Sequence, residues 1–134
     1  MRKEFMKFDA RSKEAFNTAQ LAALLARKGE FLSPVKTDAH GPDVIGYTPK
    51  TCTSRNIQVK SRITILEKYE GKDLYIAFPN WLDDVTQEWY VVDHDELQRL
   101  WGRKYKDWTS ASVSKAMQKT LAPYSVGVIN LEQP

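Results

Sequence analysis

The chain has 134 residues, 42% of them hydrophobic and four of them Trp, enough apolar material for one domain around a single core. It contains no run of about 18 uncharged apolar residues, so no membrane span is expected, and its one cysteine, Cys52, excludes an internal disulfide. A net charge of +3 permits nucleic-acid binding without demanding it.

No Cys/His cluster suggests zinc. The opening MRKEFMKFDARSK is basic but lacks an apolar stretch after its charges, so it does not read as a signal peptide, and a cytoplasmic protein is the expectation. Basic residues thicken towards both ends (Arg2, Lys3, Lys7, Arg11 and Lys13, then Arg103, Lys104, Lys106, Lys115 and Lys119). Acidic ones gather in the middle, at Asp83, Asp84, Asp93, Asp95 and Glu96. Such a split is equally the mark of an ordinary solvated surface.

In chain order, Ser12 is a candidate N-cap for a helix over Lys13–Lys28, with Gly29 closing it as a C′ residue. At 100° per residue Ala15, Ala19, Ala22, Leu25 and Ala26 share an apolar arc. Lys13, Asn17, Gln20 and Arg27 lie mostly opposite, and Glu14 falls at the margin, on the core side of the first turn. Glu30–Lys36 reads as a short strand weakened by Pro34, and Thr37–Pro42 as loop. Asp43–Tyr47 and Asn56–Ile65 are the best strand candidates, joined by TPKTCTS. Leu74–Phe78 is a third apolar run, stopped by Pro79, and Glu88–Val92 a fourth. Asp93 with Glu96 three residues on opens a helix to about Arg103. Thr109 or Ser110 caps a last helix bearing Val113, Ala116, Met117 and Leu121. Helix, three or four strands, then two helices predict a single α/β or mixed α+β domain over residues 1–134, with a central sheet flanked by helices.

The segment GPDVIGYTPKTCTSRNIQVKSR carries the chemistry. Strand alternation puts Ile57 and Val59 on one face and Asn56, Gln58 and Lys60 on the other. On an edge strand that would be ordinary half-buried patterning. Asp43, however, opens the preceding strand directly after Gly41-Pro42, and Glu14 could reach the sheet from the helix. Mg²⁺ takes hard oxygen ligands and keeps several waters. Asp43, Glu14, the Gln58 amide oxygen and the Val59 carbonyl could supply the protein's share. Lys60 could then position water or offset charge on a phosphate.

Pro42-Asp43 followed by Gln58-Val59-Lys60 resembles the PD-(D/E)XK nuclease superfamily, in the style of archaeal Holliday-junction resolvases and Mrr-type restriction enzymes. The resemblance covers Lys13–Ile65, with Glu14 matching a Glu that the superfamily places on its first helix. It implies a restriction-endonuclease-like fold, a central four-stranded mixed sheet with a helix on each side. It also implies a nuclease dependent on Mg²⁺, or Mn²⁺, acting on duplex or branched DNA. A chain this small has little surface for sequence readout, so a homodimer or a structure-selective substrate is the expectation. Gln58 departs from the usual Asp or Glu and removes a charge from the metal set.

Other residues carry competing readings. His40 could touch a phosphate or simply be solvated. Ser61 and Arg62 could bind a backbone phosphate, Arg62 being otherwise a surface residue. Cys52 has nothing beside it to activate it. Trp81, Trp89, Trp101 and Trp108, with Tyr90 and Tyr105, could stack on bases but mostly have core spacing, Trp108 being the best exposed candidate. Two alternatives to an active nuclease stand: a nuclease-like scaffold that binds nucleic acid or assembles without catalysis, and an unrelated α+β domain with Asp43 and Lys60 paired on its surface.

Overall fold

A computed structural model describes residues 1–35, 43–101 and 109–132; His40, Trp108 and the loop predicted over Thr37–Pro42 lie outside the described residues. A short helix α1 (Arg2–Met6) precedes α2 (Ala10–Ala26). The α2 N-cap is Asp9, whose carboxylate accepts the Ser12 N–H at 2.7 Å, so Ser12 is the capped residue and not the cap. Gly29, at φ +83°, takes the left-handed conformation that closes the helix end. The buried stripe of α2 is Asn17, Leu21, Leu24 and Leu25, whereas Ala15, Ala19 and Ala26 are exposed. The leucines bury far more apolar area per residue than alanine, so they decide which way the helix turns, and Asn17 goes in with them.

The expected four-stranded sheet has six strands, ordered β1 (Phe31–Pro34), β2 (Val44–Thr48), β3 (Thr53–Val59), β5 (Leu74–Trp81), β6 (Thr86–Asp93) and β8 (Ser125–Asn130). β3 and β5 run parallel and all other neighbours antiparallel, so the sheet is mixed. The predicted Asn56–Ile65 strand breaks after Val59. Its tail becomes β4 (Ile63–Thr64), which pairs with β7 (Ser110–Ala111) in a separate ribbon. Ser110 therefore sits in a strand, and Ser114 caps the final helix α4 (Lys115–Leu121).

Pro79 does not stop β5. Lys60 N–H donates to the Ala77 carbonyl, so Ala77, and two residues on Pro79, turn their backbone edge towards β3. β3 has ended there, and the N–H that proline lacks has no strand to meet. Asp93 caps α3 (His94–Trp101) as expected, its Oδ1 accepting the N–H groups of Asp95 and Glu96.

Helices cover both faces of the sheet. On one side α2 closes a core of Leu21, Leu24, Val44, Ile57, Val59 and Trp89. On the other, α3, α4 and the β4–β7 ribbon close a core that includes Ile65, Tyr69, Ile76, Tyr90 and Leu97. Trp89 and Tyr90 are core residues, as their strand placement predicts. Across β2, Arg55 of β3 donates from Nε and Nη2 to the two oxygens of Glu30, just before β1, each at 2.7 Å, and lies 5.0 Å over the Tyr75 ring. A Cβ on Gly46 would fall 2.1 Å from Glu30 Oε2, so glycine is required there by close approach and not by its φ. Among the described residues no helix is long and apolar enough to cross a membrane.

Candidate functional site

β2 and β3 pair up to Val44 and Ile57, and Asp43 stands one residue beyond that last rung. Its N–H donates to the Ile57 carbonyl and its Oδ2 accepts the Val59 N–H, both at 3.0 Å. A side chain thus takes over where the backbone ladder ends, and the carboxylate is fixed at the strand mouth. The Val59 carbonyl lies on the same strand edge as its N–H, towards Asp43. Ile57 and Val59 are buried on the α2 side, which turns Gln58 to the opposite face beside its register partner Ile76. Lys60 follows on that second face, its Nζ 5.8 Å from the centre of the Tyr69 ring.

Glu14, Asp43, Gln58, Val59, Lys60 and Ser61 line one pocket of about 380 Å³. Glu14 is exposed, not on the core side of its helix, yet it borders this space. Ala10, Lys13, Glu14 and Asn17 complete the lining from the first two turns of α2, spaced so that one helix face leans over the end of β3. Asn17 Nδ2 donates to Ser61 Oγ at 2.9 Å and ties helix to strand. Arg62 is exposed and lines a neighbouring hollow that shares Lys13 and Ser61 with the pocket.

Two residues of this lining each carry a buried oxygen without a partner: Gln58 Oε1, on a residue 8% exposed, and Asn17 Oδ1, on one 2% exposed. Each such acceptor costs roughly 1–3 kcal/mol while nothing donates to it. Gln58 lies where alternation places it. An apolar arc drawn through the alanines leaves Asn17 on the polar side; its spacing of four from Leu21, and seven and eight from Leu24 and Leu25, is the signal that places it with the leucines.

The donor set is all oxygen: two carboxylates, two amide oxygens and the Val59 carbonyl. That chemistry fits a small hard divalent cation, with the acid count at its low end. Among the described residues no group of three or more His, Cys, Asp or Glu side chains assembles. Asp43 and Lys60 do not form an ion pair with each other. Cys52, exposed in the β2–β3 turn at φ +54°, takes no part. Compared with protein families, curated proteins and solved structures, the chain matches none.

Proposed function

We propose that the pocket at the mouth of β2 and β3 is a metal-assisted phosphodiester hydrolysis site acting on DNA, in a domain of the restriction-endonuclease-like kind. The observation that carries this reading is a pair of partnerless buried oxygens, Gln58 Oε1 and Asn17 Oδ1, on residues that line one pocket with Asp43, Glu14 and Lys60. Burying unsatisfied acceptors beside carboxylates is costly unless a cation completes them. A mixed sheet with helices on both faces is the coarse part of what the Pro42-Asp43…Gln58-Val59-Lys60 pattern implies, here with six strands in place of four.

Asp43, Glu14, the Gln58 amide and the Val59 carbonyl would hold Mg²⁺ or Mn²⁺. Asn17, with its own partnerless amide oxygen, lines the same pocket. Once bound, the ion would polarise a phosphoryl oxygen and acidify water. Lys60, its ammonium steadied against the Tyr69 ring, holds the attacking water and offsets charge growing on the phosphoryl oxygens. Water attacks phosphorus in line and the bond to the 3′-oxygen breaks. Ser61 and Arg62 bind the adjoining backbone phosphate. A second reading, a scaffold that binds without cleaving, draws on Gln58 in place of a third acid.

The test incubates the protein with supercoiled, linear and branched DNA, with and without Mg²⁺ or Mn²⁺. Asp43→Asn keeps an acceptor for the Val59 N–H while removing the charge, so it separates chemistry from folding better than alanine. Divalent-dependent cleavage, reduced on the order of 10²-fold or more in both Asp43→Asn and Lys60→Ala, supports the enzyme. Cleavage that persists in both variants places the activity elsewhere. Binding with no cleavage under either metal leaves the scaffold reading.

A further inference from the structure

Beside the proposed cleavage pocket lies a hollow of about 400 Å³ between α1, the end of β5 and the segment after β3. Its lining includes three cations, Arg2, Lys13 and Arg62, and no acidic residue. None of the three pairs with a carboxylate of the described residues. Two are held by aromatic rings instead: Arg2 lies 6.0 Å over Trp81 and Lys13 5.7 Å over Phe5. Trp81 is half-buried and packs on Phe5 at 5.6 Å between ring centres. Cations left to aromatic rings are available to an anion, and the lining of this hollow carries charge of one sign, although Arg2 also lines a second hollow with Asp83 and Asp84.

We infer that this hollow takes an unpaired nucleotide of the DNA strand being cleaved, its base against Trp81 and its phosphates on Arg2, Lys13 and Arg62. The inference rests on reading the adjoining pocket as a phosphodiester site. Lys13 and Ser61 line both spaces, so a strand can pass from one to the other without leaving the surface. A duplex offers phosphates but keeps its bases stacked inside, where an indole in a hollow cannot reach them. An unpaired base offers its face, and stacking on an aromatic beside cations is how single strands are held. Asn80 and Ser112 add neutral hydrogen-bonding groups to the lining, beside the apolar Phe5, Met6 and Val113. The substrate class is therefore DNA with an unpaired segment, such as a flap, a fork or a frayed end.

Binding is measured in EDTA by fluorescence anisotropy, with labelled DNAs of equal length: single-stranded, fully duplex, and a single strand of abasic phosphodiester units. The single strand is expected to bind more tightly than either other form. Trp81→Ala should weaken it about 5- to 150-fold, the worth of one stacked base, while Trp81→Phe retains most of the affinity. Arg62→Ala, at an exposed position, should lower the magnitude of the salt slope by about 0.7. Equal affinity for abasic and intact strands overturns the inference. So does preference for duplex, or indifference to Trp81→Ala in a protein shown to be folded. Should Trp81→Ala not fold, the abasic comparison and Arg62→Ala decide. Because EDTA removes the metal, intact binding without any cleavage under Mg²⁺ or Mn²⁺ sinks only the enzyme reading. Cleavage with affinity untouched by Trp81 or Arg62 substitution sinks only this one.

Discussion

Gly46→Ala is the sharpest structural prediction. The added methyl would sit 2.1 Å from Glu30 Oε2 and 2.9 Å from its Cδ, well inside contact distance. Glu30 cannot swing aside cheaply, because Arg55 grips both of its oxygens and the residue is 8% exposed. Losing that grip leaves a nearly buried carboxylate without its partner. Removing one member of a fully buried pair costs about 3–5 kcal/mol. Here Arg55 keeps 28% side-chain exposure and reaches water, so the expected loss is smaller, roughly 2–4 kcal/mol. At this chain length about 4 °C accompanies each kcal/mol, so Tm should fall by about 8–16 °C. The decisive assay is a double-mutant cycle by urea or thermal unfolding. With Glu30→Ala already in place the methyl meets no carboxylate, and Gly46→Ala should then cost under about 1 kcal/mol. Equal costs in the two backgrounds, within about 0.5 kcal/mol, would show that Glu30 is not what the methyl strikes.

Two further outcomes follow from the site and from α2. Gln58→Glu puts a third carboxylate into the pocket: in EDTA it should lower Tm, since a buried charge gains no partner, while Mn²⁺ should raise its Tm more than that of the native chain. A tenfold tighter ion adds about 1.4 kcal/mol, near 5 °C, and identical metal responses would argue against Gln58 facing a cation. Asp9 accepts the Ser12 backbone N–H, which holds its carboxyl below the ordinary 3.8. Its contribution is full above that value and is lost as pH falls through the lowered folded pKa. Asp9→Asn keeps an acceptor that does not titrate, so urea midpoints of the two proteins should converge as pH drops below about 4; a constant gap refutes the cap's acid dependence.

Much of the local structure is legible in the residues themselves. The Asp93 cap, the left-handed Gly29, the strand runs around Val44, Ile57, Leu74 and Trp89, and the alternation that sets Gln58 against Ile57 are short-range matters of hydrogen bonding, φ and period. The candidate residues Glu14, Asp43, Gln58, Val59, Lys60 and Ser61 were all nameable, because polar side chains at a strand end stand out against an apolar pattern.

Other features depend on partners distant in the chain. β1 and β8 are weak as isolated strands, one carrying Pro34 and the other Gly127, and only their pairing with β2 and β6 makes the sheet six strands wide. Pro79 reads as a stop until the absence of β3 beside it removes the penalty for its missing N–H. Ser110 reads as a cap until β4 claims it. A pattern count turns α2 the wrong way, because several alanines outnumber three leucines in number but not in buried area. The rotation that the leucines set is what carries Asn17 to Ser61 and brings it into the lining that Asp43 and Gln58 share. The sequence by itself determined which residues are chemically capable, since that follows from side-chain type and local period. Their meeting in one pocket was decided by the tertiary structure, because helix facing and sheet width are settled by the area buried between segments far apart in the chain.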